Sequence, residues 1–131
     1  MSGRWYSEAF KLPMHYTAVF SESDFHAALD EMGEPKEGRP AWIKNSHSHA
    51  TVHSFRDADG LESAVVALRK KPGITGIQIA GLLTHEAVHI FQWCCESWGE
   101  DSPSKEFQAY GIQQISQNLM QQYVEYLEGE S

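Results

Sequence analysis

From Thr75 to Gly99 the chain has few alternatives to a single buried helix. Ile79, Leu82, Leu83, Val88, Ile90 and Phe91 recur at helical spacing, polar residues are confined to a few positions, and Gly99 supplies a natural stop. In the middle of that apolar stretch stands His85-Glu86-Ala87-Val88-His89, an H-E-x-x-H pattern. A buried helix is a costly place for two imidazoles and a carboxylate unless they are paired or metal-bound. Helical residues four apart lie about 40° apart around the axis and one turn along it, so both imidazoles reach one tetrahedral ion. Glu86 lies about 100° from His85, too far round to join them easily as a ligand but able to touch a water on that ion. Zinc lowers the pKa of such a water towards about 7, and a neighbouring carboxylate takes its proton during attack on a carbonyl. The bland alternative is a core cluster of hydrogen-bonded histidines.

A zinc that keeps one place for water needs a third protein ligand. Glu106, early in the next helical segment, is the favoured candidate, because a short turn and an antiparallel helix return it towards the pair. Its alternative reading is a first-turn glutamate favoured by the helix dipole. Cys95 is weaker, since a residue six beyond His89 on a continuous helix points about 120° away from it. The third source is the upstream group His47, His49 and His53. The longer pattern H-E-x-x-H-x-x-G-x-x-H is absent, with Gln92 and Cys95 in its place. Tyr110 follows Glu106 by one turn and either hydrogen-bonds a developing oxyanion or packs beside the ion. Gln92 returns to the histidine stripe and is placed to orient a ligand, or to make an ordinary polar contact.

The rest of the chain reads as an α+β domain. Residues 14 to 20 form a strand, Ser21 caps a helix from 22 to 33, and Pro35, Gly38 and Pro40 mark a loop. Ala41 to Ile43 reads as a short strand, and His49 to Phe55 and Leu61 to Leu68 as a hairpin turned by Asp57-Ala58-Asp59-Gly60. Residues 104 to 127 form a long amphipathic helix, with Ile112, Ile115, Leu119, Tyr123 and Leu127 as its apolar stripe. The glutamines between 113 and 122 read as a solvated face or a surface for self-association, and Glu125 to Glu130 as a solvated tail. If residues 47 to 55 are one strand, His47, His49 and His53 share a face, lining a cleft or facing solvent. The expected architecture is a small antiparallel or mixed sheet of three or four strands, one N-terminal helix and two long C-terminal helices, with zinc between those two helices and the sheet.

At 131 residues and 41% hydrophobic composition, one domain spanning 1–131 accounts for the chain. Ten basic against eighteen acidic residues leave a net charge of -8, which argues against a nucleic-acid or anionic-membrane partner. The same charge permits a mimic of nucleic acid, but that reading leaves the histidine motif unexplained. No apolar run is long enough to span a membrane, no leader pattern is evident at the N-terminus, and the adjacent Cys94 and Cys95 cannot staple distant segments; a cytoplasmic setting is expected. Both cysteines read as small buried apolar residues rather than nucleophiles.

His85-Glu86-x-x-His89 followed by Glu106-x-x-Ala109-Tyr110 resembles the zincin metallopeptidases, in the glutamate-ligand branch that includes thermolysin-like enzymes. The resemblance covers residues 75 to about 115. It implies that His85, His89 and Glu106 bind one zinc ion, that Glu86 is the general base, and that the substrate is a peptide or protein. The Phe91-Gln92-Trp93 continuation and the compact size also resemble small H-E-x-x-H proteins of bacteriophage and prophage genomes. The large extra domains that build the cleft of thermolysin-like enzymes have no counterpart here. A non-catalytic alternative therefore stands beside the peptidase reading: zinc fixing the helices of a module that binds a protein partner.

Overall fold

Glu62–Leu68 is the strand around which everything else is arranged. The computed structural model describes Trp5, residues 14–56 and residues 62–130. In chain order its elements are β1 (Met14–Val19), α1 (Glu22–Glu31), β2 (Ala50–Arg56), β3 (Glu62–Leu68), α2 (Gly76–Trp98) and α3 (Lys105–Glu130). The three strands form one mixed sheet in the order β1-β3-β2. β3 pairs in parallel with β1, Met14 opposite Glu62, and antiparallel with β2, Ala50 opposite Leu68. The fold is α+β, with one helix before the hairpin strands and two after them. The turn at Asp57 to Gly60 lies outside the described residues.

β3 is buried from Ala64 to Leu68, which explains its near-continuous apolar sequence. Its side chains alternate between two cores. Ala64, Val66 and Leu68 join Met14, Tyr16 and the buried stripes of α2 and α3 on one face. Val65 and Ala67 join Val19, Phe25, Ala28 and Leu29 on the α1 face. Residues 41–43 are not a strand: they join no ladder among the described residues, and Ile43 instead inserts into the α1-side core, with Trp42 packed against it.

Local chemistry sets the helix ends. The Ser21 hydroxyl accepts from Asp24 N–H at 3.2 Å at the start of α1. Thr75 and Gln78 form a reciprocal capping box at the start of α2. Gly99 ends α2 at φ 72°, a left-handed conformation that glycine adopts without a Cβ clash. Helix α2 crosses the sheet antiparallel to β3. Its C-terminal Ser97 donates to Glu62 at the start of β3 (2.8 Å), and Glu62 also pairs with Arg56 across the ladder. The N-terminal half of α2 therefore lies where β3 ends and β2 begins.

Two expectations about α3 are corrected. The helix continues through Glu130, so Glu125 to Glu130 is helical rather than a tail; Tyr123 and Tyr126 pack on Phe20 with tilted rings, centroids at 5.3 and 5.1 Å. The glutamine-rich face is not simply solvated. Gln122 is buried; its Oε1 accepts from Ala18 N–H and its Nε2 donates to Thr17 Oγ1, both at 2.8 Å. One turn earlier, Asn118 donates to the Tyr16 hydroxyl at 2.8 Å. These amides hold α3 over the outer edge of β1.

Candidate metal centre

The buried stripe of α2 runs Ile79, Leu83, Glu86, Ala87, Ile90, Phe91, Cys94 and Cys95. Glu86 occupies a core position in it, where helical periodicity would place a hydrophobe. It is only 6% exposed. Burial pushes its carboxyl above the usual carboxylate range, and the adjacent His85 and His89 oppose that rise. His85 is exposed and His89 half-buried on the flank of the same helix. Their rings meet edge to face with centroids 4.9 Å apart.

One ligand atom from each of His85, Glu86 and His89 lies within 4.8 Å of the other two. The carboxylate of Glu86 thus comes closer to the imidazoles than its 100° offset around the helix suggested. Nitrogen and oxygen donors of this kind on one helix suit a borderline divalent ion such as zinc. Gln92 Oε1 accepts from His89 Nδ1–H at 3.3 Å, leaving Nε2 as the lone-pair nitrogen of that ring.

His85 and Glu86 of this group line a cleft of about 880 Å³ at the end of the sheet. Gln78, Gly81, Leu82, His85 and Glu86 of α2 form one side, and Pro72, Gly73 and Ile74 close one end. The opposite side is His47, Ser48 and His49, with Ala50 at the start of β2. The three upstream histidines do not share a face. The strand begins only at Ala50, so alternation does not extend back to residues 47–49. His53 lies on the α1 face of the sheet, against Phe25 (centroids 4.8 Å), and its Nε2–H donates to Trp42 C=O at 3.0 Å.

The loop carrying His47 and His49 is tied down from behind. Asn45 Oδ1 accepts from His47 N–H and Ser48 N–H, each at 2.9 Å. The Arg69 guanidinium donates to the carbonyls of Asn45, Ser46 and Ser48 at 3.0, 3.3 and 2.7 Å, and Lys71 Nζ to Ser46 C=O at 2.8 Å. The contribution of Arg69 and Lys71 is not visible from spacing along the chain, because they reach back from the far end of β3.

Glu106 and Tyr110 are not brought to the pair. Both are exposed on α3, Tyr110 at 58%, and neither belongs to the close group or to the cleft wall. The α2–α3 register is the cause. Gly111 sits against the Phe91 ring, and Phe107 packs on both Phe91 and Trp98 (centroids 5.5 and 5.8 Å). With Gly111 level with Phe91 on antiparallel helices, Glu106 falls opposite residue 96, about 10 Å along the axis from His89. Cys95 is buried in the apolar core, and burial raises its thiol; its neighbour Cys94 is pushed up to about 12 for the same reason, so neither supplies a thiolate at neutral pH.

Comparison with known proteins returns no matching family, no matching curated protein and no matching solved structure. Among the described residues, no helix is long and apolar enough to cross a membrane.

Proposed function

We propose that this chain is a zinc-dependent hydrolase of the peptidase kind, with His85 and His89 as zinc ligands and Glu86 as general base. The observation that carries the reading is the position of Glu86. A carboxylate in a core stripe, within 4.8 Å of two imidazole nitrogens and opening on a cleft, gives up apolar packing for chemistry. Zinc would supply a lowered pKa for water and polarisation of a carbonyl. The residues do the rest. His85 and His89 would hold the ion, and Gln92 would fix the tautomer of His89. Glu86, beside the ion and facing the cleft, would accept the proton from the attacking water and pass it to the leaving amine. Peptide or protein is the substrate class, on the strength of the motif's resemblance to zincins and the open cleft of about 880 Å³ beside it.

The exposed His85 and the open cleft favour catalysis over a closed structural site, in which protein ligands surround the metal. The test is Glu86→Gln. It should keep its zinc and lose hydrolysis of an unstructured protein substrate by about 10²- to 10⁴-fold, the range for removing a general base. Wild-type turnover in that variant would reject the mechanism. Zinc binding without hydrolysis in either protein would favour the alternative module, in which the metal fixes α2 for a protein partner.

A further inference from the structure

Two imidazoles and one base do not complete a catalytic zinc site, which takes three protein ligands and a water. The helix expected to provide the third ligand does not deliver it, because the Phe91–Gly111 contact sets its register. His47 and His49 line the same cleft as His85 and Glu86, although their ring nitrogens lie outside the close group of three.

Resting on the reading above, we propose that the metal takes its third protein ligand from the 47–49 loop, with His49 as the ligating residue and His47 beside it in the cleft wall. Three observations support this. Both imidazoles are exposed and line the cleft into which His85 and Glu86 open. The loop is held in place without them: Asn45 organises its amides, and Arg69 and Lys71 bind its carbonyls. His49 is the better anchored of the two, because its C=O accepts from Arg69 N–H at 2.8 Å, one step beyond the Ala50–Leu68 pair that ends the β2–β3 ladder. A ligand on so fixed a backbone loses little freedom on binding. The site would then join the start of β2 to the middle of α2.

The experiment is zinc affinity, measured on the full chain by competition with a chromophoric chelator. It compares wild type, His85→Ala, His49→Ala, His49→Gln, His47→Ala/His49→Ala and Glu106→Ala. Cobalt(II) absorption reads the coordination of each. Melting in chelator checks that the metal-free fold is intact, as expected for exposed loop side chains. The inference expects both His49 variants to weaken zinc by more than the roughly 10- to 100-fold that loss of a supporting partner costs, and to alter the cobalt spectrum. Glu106→Ala should bind as wild type does. Wild-type affinity in the double variant, or a loss confined to Glu106→Ala, would overturn the inference while leaving the His85–His89 site intact. Failure of the wild type to bind zinc, with His85→Ala indistinguishable from it, would instead overturn the metal reading itself.

Discussion

Single residues here carry chemistry that their neighbours in the chain do not announce. His53 is the clearest case for stability. Burial lowers its pKa below the ordinary histidine value, and the Trp42 carbonyl that accepts its Nε2–H only partly offsets this. At pH 7 the folded and unfolded forms are both largely neutral at this site. As pH falls below about 6.5 the unfolded chain takes up a proton there that the folded chain resists, so stability falls. His53→Phe, which keeps a ring against Phe25, should flatten that part of the profile. Thermal midpoints between about pH 7.5 and 5 test it. A variant that loses stability towards acid as steeply as the wild type would show that His53 is not the responsible group. Glu86 shows the complementary case. Its core position was legible from the spacing Ile79, Leu83, Glu86, Ile90, and its chemistry from the two flanking histidines. Its distance from their nitrogens was not, because side-chain torsions span the 100° that the backbone imposes.

Among elements, those with local signals were readable and those set by partners were not. Ser21, Thr75 and Gly99 act on backbone groups within a few residues, so the ends of α1 and α2 follow from sequence. The parallel pairing of β1 with β3 and the absence of a strand at 41–43 depend on which segments meet, and no local pattern encodes that. The placement of Glu106 belongs to the same class. Its motif context resembles a ligand position, but the register of α3 against α2 is decided at Gly111. A Cβ there would lie 2.6 Å from Cδ1 of Phe91, well inside van der Waals contact. Gly111→Ala should therefore destabilise by about 1–3 kcal/mol through overpacking, despite the roughly 1 kcal/mol that alanine normally gains over glycine in a helix. Phe91→Leu should relieve that clash, so that the double variant is more stable than the two single losses add up to. Urea unfolding of the four proteins measures this. Strict additivity would mean that the contact does not set the register, and Glu106 would return as a ligand candidate.

At the scale of the whole molecule the question is how a three-stranded sheet is kept from offering its edges. β3 is central and both its faces are covered, but β1 is an edge strand whose outward N–H groups need partners. Helix α3 supplies one for Ala18 with a side chain instead of another strand. Gln122 is the key contact: one amide satisfies the backbone of Ala18 and the hydroxyl of Thr17, and Asn118 reaches Tyr16 one turn away. The glutamine-rich sequence reads as a solvated face because most of its members are exposed, as Gln113, Gln117 and Gln121 are. Only the approach of β1, from the other end of the chain, distinguishes Gln122 from them. Gln122→Leu keeps the volume and removes both bonds, leaving the Ala18 N–H buried without its acceptor. It should cost about 1–3 kcal/mol, the desolvation penalty of an unsatisfied buried group. Gln117→Leu and Gln121→Leu, on the exposed face, should stay within about 0.5 kcal/mol of wild type. If all three variants unfold at the same denaturant concentration, the amide is a passive neighbour of the strand, and apolar packing of Ile115 and Leu119 alone holds α3 on the sheet. If only Gln122→Leu falls, a single polar side chain caps the β1 edge. The larger fall in stability should then come with faster amide exchange at Ala18 and not at the α2 core, because the loss is local to that edge.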